Sequence, residues 1–199
     1  MVFGKLFGNR NKWSESSDEE KYMALKEAIN SGSMQELKKR TREGLPINTL
    51  DPYSQANILM FYASKARDLR WDSRELIAFL KSEGVDLNHF RNNRLKGSTS
   101  ALHFAVIQKN EGLVKALVKE GASVDLKDGN GNTPLWKAVM DYRGEPEMKS
   151  IIHFLIEQGS SLDEKNDYGN SPRDMIIRVS EGIKAGINQN EWDLSELLG

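Results

Sequence analysis

A repeat with a period of 33 residues constrains the fold of this chain more than any other feature. The segment Ser100–Ala105 (SALHFA) is followed one period later by Thr133–Ala138 (TPLWKA). The leucines at the third position of the two segments are 33 residues apart, and so are the alanines at the sixth position. This spacing predicts an array of units that each contain a β-turn and two helices. Because such arrays present extended surfaces to partners, the repeat favours binding over catalysis.

The second helix of each unit is marked by an apolar stretch that ends in glycine. In residues 113–121 the apolar positions 113, 114, 117 and 118 fall on one helical face. Gly121 and Gly159 follow two such helices and are predicted to adopt the left-handed conformation that ends a helix. The two glycines are 38 residues apart, so this unit has five extra residues. A loop over Asp141–Met148, which contains a glycine and a proline, is predicted to hold them.

The same register extends in both directions along the chain. Residues 75–84 match the second helix, and Ile58–Lys65 is the predicted first helix before it. We therefore expect an all-α solenoid of about five helix pairs with β-turn fingers, after an N-terminal tail at 1–19. The expected repeat domain covers 20–199, in units of approximately 20–50, 51–96, 97–127, 128–166 and 167–199.

These motifs resemble those of the ankyrin-repeat family, most closely over residues 97–166. The resemblance implies a concave face, formed by the fingers and the first helices, at which a protein partner binds. His103 stands where the family usually has a histidine, which implies a hydrogen bond to the backbone of the adjoining turn. Trp136 occupies the same position one unit later, and we prefer a packing role over a role as a binding anchor. Thr133 and Pro134 are typical of a helix N-cap and first helical position.

Candidate partner-binding residues follow from this register. The first-helix positions predicted to point into the concave face are Asn30, Ser31, Lys65, Ala66, Ile107, Gln108, Met140 and Asp141. Adding finger positions, the predicted contact strip consists of Phe90, Arg91, Arg94, Asn130, Asn132, Trp136, Met140, Tyr142, Tyr168 and Asn170. The finger at 89–96 combines an aromatic residue with three cations, which suits either an interface hot spot or a solvated loop.

Composition excludes several other functions. The net charge is −1, so no global field favours nucleic acid, and no cysteine is present. The three histidines fall in different predicted units, which argues against a metal site, and no phosphate-binding or dinucleotide motif occurs. We therefore expect no enzyme activity and no cofactor. The absence of a long apolar run or signal sequence leads us to expect a cytoplasmic protein.

Two terminal segments leave alternatives open. The basic and aromatic residues of 1–13 form either a weak docking tail or, as we prefer, a loosely packed leader without stable membrane association. Residues 155–199 contain four basic and nine acidic side chains. This acidic end either steers a basic partner or, in the preferred interpretation, keeps the last unit in solution.

The resemblance also suggests a more specific function. The chain is similar to compact stand-alone ankyrin-repeat proteins of bacteria, which include immunity proteins against cognate toxins, and residues 191–198 resemble the endings of that group. We therefore predict a binding protein that inhibits a specific partner, with toxin neutralisation as one form of this role. The alternatives are an adaptor or host-directed effector scaffold and, third, an enzyme built on a helical solenoid.

Overall fold

The computed structural model describes residues 13–69, 71–90, 98–184 and 194–198. These residues form nine α-helices and one short 3-10 helix, and none of them forms a strand. The helices are α1 Asp18–Asn30, α2 Met34–Arg42, α3 Ile58–Lys65, α4 Ser73–Ser82, α5 Ala101–Ile107, α6 Glu111–Lys119, α7 Pro134–Asp141, α8 Pro146–Glu157 and α9 Pro172–Lys184, and the 3-10 helix is Ser195–Leu198. We call α1, α3, α5, α7 and α9 the first helices, and α2, α4, α6 and α8 the second helices.

Short polar side chains define where most of these helices begin. Each accepts a hydrogen bond from a backbone amide in the first turn, which would otherwise lack a partner. The capping residues are Ser17, Ser33, Asn57, Asp72, Ser100, Asn110 and Thr133. Thr133 accepts from the Trp136 amide at 3.1 Å, and Pro134 is the first helical residue, which confirms the predicted start of α7.

The inserted loop is shorter than the sequence predicted. The prediction placed it over 141–148, but α8 already begins at Pro146, so the loop covers 142–145. Proline has no amide hydrogen and a fixed φ, which makes it suitable for the first position of a helix. The sequence pattern predicts this proline in the loop, whereas it begins the helix.

The predicted glycine ends of α6 and α8 are confirmed. Gly121 has φ +100° and Gly159 has φ +89°, in the left-handed region that favours glycine. After α6, the amide of Ala122 donates to the Leu117 carbonyl at 2.9 Å, which satisfies one carbonyl left open by the end of the helix.

The helices stack in two layers that share one continuous core. Each first helix contacts the next, from α1 through α3, α5 and α7 to α9, and the second helices α4, α6 and α8 pack in the same order. All six residues predicted to be buried lie in this core: Leu102, Ala105, Leu117, Leu135, Ala138 and Leu155. The structure is therefore the predicted helical solenoid.

The two ends of the described array are closed by short segments. Trp13 packs against the core just before α1, which begins at Asp18 with a capping box between Ser17 and Glu20. At the other end Leu194 is buried, and the 3-10 helix contacts α9. We retain the boundary at residue 19 and the five-unit division as a proposal.

Candidate binding face

The fingers at 127–132 and 165–170 are each shaped by one Asp or Asn side chain of the turn. Asp128 Oδ1 accepts hydrogen bonds from the amides of Asn130 at 2.8 Å and Asn132 at 2.9 Å. Asn166 Oδ1 accepts from the amides of Tyr168 and Asn170, both at 3.0 Å. These side-chain oxygens bond the backbone amides of their own turn, as Asp and Asn do in Asx turns. The fingers are therefore fixed from within, and the remaining turn residues can face solvent.

Neighbouring fingers are bonded to one another as well. The Gly129 amide donates to the Ser98 carbonyl at 2.8 Å, and the Asp167 amide donates to the Asn130 carbonyl at 3.1 Å. Because successive fingers are joined through their backbones, they form one continuous edge beside the first helices. This edge positions the exposed side chains of different units relative to each other.

His103 has the structural role that the sequence predicted. Its Nε2 lies 2.9 Å from the Asn132 carbonyl in the next finger, and its Nδ1 lies 2.8 Å from Ser100 Oγ. Burial lowers the pKa of His103, and the bond to the Asn132 carbonyl only partly opposes this shift. The ring is therefore neutral near pH 7 and joins a helix to a finger.

The solvent-exposed side of the first helices, together with the finger turns, forms what we call the first-helix face. Met23 of α1 is 47% exposed and Ile107 of α5 is 41% exposed. Phe61 of α3, Phe104 of α5 and Met140 of α7 are half-buried and extend the apolar surface between them. This side of the array thus offers apolar groups along several consecutive units.

Seven of the eight predicted first-helix positions are exposed or half-buried, and their place on the binding face stays a proposal. Asn30, Ser31 and Ile107 are exposed, and Gln108, Met140 and Asp141 are half-buried. In α3 the prediction of Lys65 with Ala66 is off by one residue, because Ala66 is buried. Alignment of the Asn57 cap with the Ser100 cap shows that Ser64 and Lys65 correspond to Ile107 and Gln108.

The ten predicted contact residues fall into distinct environments. Tyr168 is 63% exposed at the tip of a finger. Five are half-buried: Phe90, Asn130, Trp136, Met140 and Asn170. Arg91 and Arg94 lie outside the described residues, as does most of the 89–96 finger. The predicted strip stays a proposal for these eight residues.

Asn132 and Tyr142 are corrections to the predicted strip, because both side chains are buried, at 6% and 7% exposure. Asn132 bonds to Asp128 within its finger and accepts from Asn166 Nδ2 of the next finger at 2.8 Å. Tyr142 follows α7 directly and belongs to the hydrophobic core. The register placed both residues on the surface. Asn132 is instead covered by the adjacent unit, and Tyr142 packs in the core.

Trp136 combines packing with an unusual polar atom. The side chain is half-buried, and its Nε1 is buried without a hydrogen-bond partner among the described residues. His103, at the same position of the preceding unit, does bond to the next finger. Trp136 therefore packs at the position equivalent to His103 but, in the described segments, makes no hydrogen bond like that of His103 to the Asn132 carbonyl.

Several residues of the first-helix face were missed by the sequence analysis. Tyr53 is 77% exposed in the first finger, which is the turn at 51–56, and Lys26 Nζ lies 5.3 Å from the ring centroid of Phe61. A usable signal existed for the aromatic pair, since Phe61 and Phe104 both stand four residues after a helix N-cap. The proximity of Lys26 to Phe61 depends on how two units pack and has no signal in the sequence.

The acidic C-terminal end is partly neutralised by internal ion pairs. Lys149 donates to Glu196 at 2.8 Å, and this hydrogen bond lowers the pKa of the Glu196 carboxyl. Arg173 pairs with Asp163 at 2.7 Å and lowers the pKa of that carboxyl. Both contacts join the last segments of the array to each other, which fits the interpretation of the acidic end as a structural cap.

Within the described residues no group of three or more His, Asp or Glu side chains is arranged to hold a metal ion. None of the helices in the same part of the chain is both long and apolar enough to cross a bilayer.

Comparison with known proteins agrees with the geometry. The profile of the ankyrin-repeat family, which represents three repeat copies, matches residues 60–166. The chain belongs to the ankyrin-repeat family. This match runs from the third residue of α3 to the finger before α9, and ankyrin repeats mediate binding between proteins.

Two much larger proteins are similar to parts of this ankyrin-repeat chain. The E3 ubiquitin-protein ligase Ufd4 of Drosophila melanogaster is 35% identical over 116 residues, which are 58% of this chain and 3% of Ufd4. The human SH3 and multiple ankyrin repeat domains protein 2 is 39% identical over 69 residues, 35% of this chain and 4% of that protein. The chain thus corresponds to only a few per cent of the length of either relative. The similarity therefore does not extend the activities of those proteins to this chain.

Proposed function

We propose that the chain is a non-enzymatic binding protein that engages one specific protein through its first-helix face. The observation that carries this proposal is the series of apolar side chains on successive first helices, in which Met23 and Ile107 are exposed and Phe61 and Met140 are half-buried. Apolar groups spaced along a rigid surface and surrounded by polar residues are typical of interfaces with a buried centre and polar rim. Membership of the ankyrin-repeat family supports the same function.

Site-specific photo-crosslinking in cells tests this proposal. A benzophenone amino acid replaces Ile107 on the first-helix face or, as the matched control, Lys119, which is exposed on the second helix α6. We expect one protein to crosslink strongly at position 107 and weakly at position 119. Equal crosslinking at both positions, or strong crosslinking at 119 alone, would place the interface elsewhere and contradict the proposal.

Inhibition of a toxin is the more specific form of this proposal. A partner held across the whole first-helix face would lose access to its own substrates, which is how a binding protein inhibits. The test expresses the captured partner in cells, with and without the chain, and measures growth. We expect the wild-type chain to restore growth and the double variant Ile107→Lys, Met140→Lys to fail. A partner that does not inhibit growth contradicts the toxin-specific form and leaves the binding function intact.

An adaptor is the second candidate, favoured by a groove on the opposite side of the helix pairs. This groove of about 430 Å³ is lined by Trp71, Arg74, Lys115 and Lys119 at α4 and α6. An adaptor must hold two proteins at once. Recovery of one complex that contains different proteins crosslinked from positions 107 and 119 would support the adaptor over the single-partner inhibitor.

A further inference from the structure

A small cavity lies on the N-terminal half of the first-helix face. It has a volume of about 140 Å³ and is bordered by α1, the first finger, α3 and α5. Its apolar lining comes from Ala56, Met60, Phe61 and Phe104. Phe61 and Phe104 are only half-buried, so the two rings remain accessible at the edge of the cavity. The volume is of the size that one apolar side chain fills.

Lys26 supplies the positive charge of this cavity. Its Nζ lies 5.3 Å from the Phe61 ring centroid and 5.7 Å from the Tyr22 ring centroid, within the range of cation–π contacts. No carboxylate lies within ion-pair distance of this ammonium, and no hydrogen-bond acceptor takes its protons, in the part of the chain that the structure describes. The aromatic rings therefore hold the charge in place while all three of its N–H donors remain available.

The acid closest to this site is already engaged. Asp51 Oδ1 accepts from the amides of Tyr53 at 3.0 Å and Ser54 at 2.7 Å. Burial alone would raise the pKa of Asp51, but these hydrogen bonds and the charge of Lys26 outweigh it and hold the pKa below its usual value. Asp51 thus acts as a finger-forming carboxylate and leaves the Lys26 ammonium without a partner at salt-bridge distance.

A second cation follows the cavity lining along α3. Lys65 follows the cavity residue Ser64, is exposed, and has no ion pair within the described segments. By contrast, the cation on α7 is paired internally, since Lys137 lies 3.5 Å from Asp141. Lys26 and Lys65 are therefore available to pair with a carboxylate of a partner.

We infer that this cavity receives a segment of a partner protein in which an apolar side chain stands beside a carboxylate. The apolar side chain enters between Phe61 and Phe104, and the carboxylate pairs with Lys26. A chain segment fits better than a small anion because exposed Met23 and Ile107, on α1 and α5, extend the apolar surface on the two helices that border the cavity. This inference rests on the proposed function and specifies the partner chemistry.

Selection from a displayed library of random linear peptides against the purified full chain tests the inference. Enriched peptides are synthesised, and their binding is measured by fluorescence anisotropy. We expect them to share an Asp or Glu next to Leu, Ile, Met or Phe. Binding should weaken at least about tenfold in Lys26→Met and be largely retained in Lys26→Arg, which keeps the charge. The control Lys39→Met removes an exposed lysine from α2 and should bind as the wild type does.

The possible outcomes separate this inference from the proposed function. Peptides that lose binding in Ile107→Glu but not in Lys26→Met would overturn the inference and leave the first-helix face as the interface. Peptides insensitive to every first-helix substitution would overturn both. Failure to enrich any peptide would overturn the inference. Competition by acetyl-glutamate as strong as that by an enriched peptide would overturn it as well, because the apolar side chain would then add nothing to binding. Unchanged thermal unfolding of Lys26→Met shows that its effect is on binding.

Discussion

Asn166 donates a hydrogen bond from Nδ2 to Asn132 Oδ1 at 2.8 Å, and both side chains are buried between neighbouring fingers. The two residues are 34 positions apart, close to one repeat period. Each also holds its own finger, since Asn132 bonds to Asp128 and Asn166 accepts two amides of its turn. One buried amide pair therefore connects the internal geometry of two successive units.

Asn132→Ala should destabilise the protein by about 1–3 kcal/mol, because it leaves the buried Asn166 amide without its acceptor. The matched control is Asn130→Ala in the same finger, whose side chain has no hydrogen bond within the described residues and is half-buried. We expect the control to change stability by less than about 0.5 kcal/mol. Urea unfolding of both variants measures the difference, and equal losses would show that the amide pair is not responsible.

Gly131→Ala and Gly169→Ala form a pair that separates steric overlap from backbone strain. Both glycines have φ +75°, so alanine is strained at each by about 1–2 kcal/mol. A Cβ at Gly131 would lie 2.5 Å from Asp167 Oδ1 and 2.7 Å from the Asp167 backbone nitrogen, whereas at Gly169 nothing lies within 4 Å. We expect Gly131→Ala to cost at least about 1 kcal/mol more in chemical unfolding. Equal losses of unfolding free energy in the two variants would mean that the finger of Asp167 moves away from Gly131 without a loss of stability.

The protein should become less stable as the pH is lowered below about 6.5, because of His103. Burial lowers the pKa of His103 in the folded state, so below its ordinary value the unfolded chain binds a proton that the native state does not. The contribution of neutral His103 to the free energy of unfolding is complete above about pH 6.5. It decreases as the pH falls, by at most about 1.4 kcal/mol per pH unit. Urea unfolding at several pH values above the carboxylate range measures this slope.

The control for this pH dependence is His103→Gln, which removes the titrating group. The variant starts from lower stability, because the link between Ser100 and the Asn132 carbonyl is altered. Its stability should nevertheless vary less between pH 7 and pH 5 than that of the wild type, in line with ordinary histidine titration near pH 6.5. A slope equal to the wild-type slope would assign the pH dependence to other groups.

Leu117→Ala should cost about 2–5 kcal/mol by opening a cavity between second helices. Leu117 is fully buried in α6, which packs against both α4 and α8. Lys119→Ala, two residues later on the exposed side of the same helix, is the control and should lie within about 0.5 kcal/mol of the wild type. A loss below about 1 kcal/mol for Leu117→Ala in denaturant unfolding would contradict the tight packing of this layer.

The sequence alone determined the architecture, because the signals involved are local and recur with the period. The Thr133 cap, the apolar positions of α6 and the left-handed Gly121 each depend on residues within a few positions. The core followed from the same register, whereas the hydrogen bond of His103 to the next finger was implied by the family resemblance. The error at Ala66 is a register offset of one residue, since alignment of the helix N-caps pairs Ser64 and Lys65 with Ile107 and Gln108.

Only the tertiary structure decided which side chains remain exposed. Asn132 occupies a turn position that looks open in a single unit, but the next finger supplies Asn166 and closes it. Lys26 and Phe61 are 35 residues apart in the chain, and their contact exists because α1 packs against α3. Accessibility at these positions is a property of two units together, since each face of a repeat is covered by its neighbour. A one-dimensional pattern shows which residues point outward from a helix, and the packing between units determines whether they reach solvent.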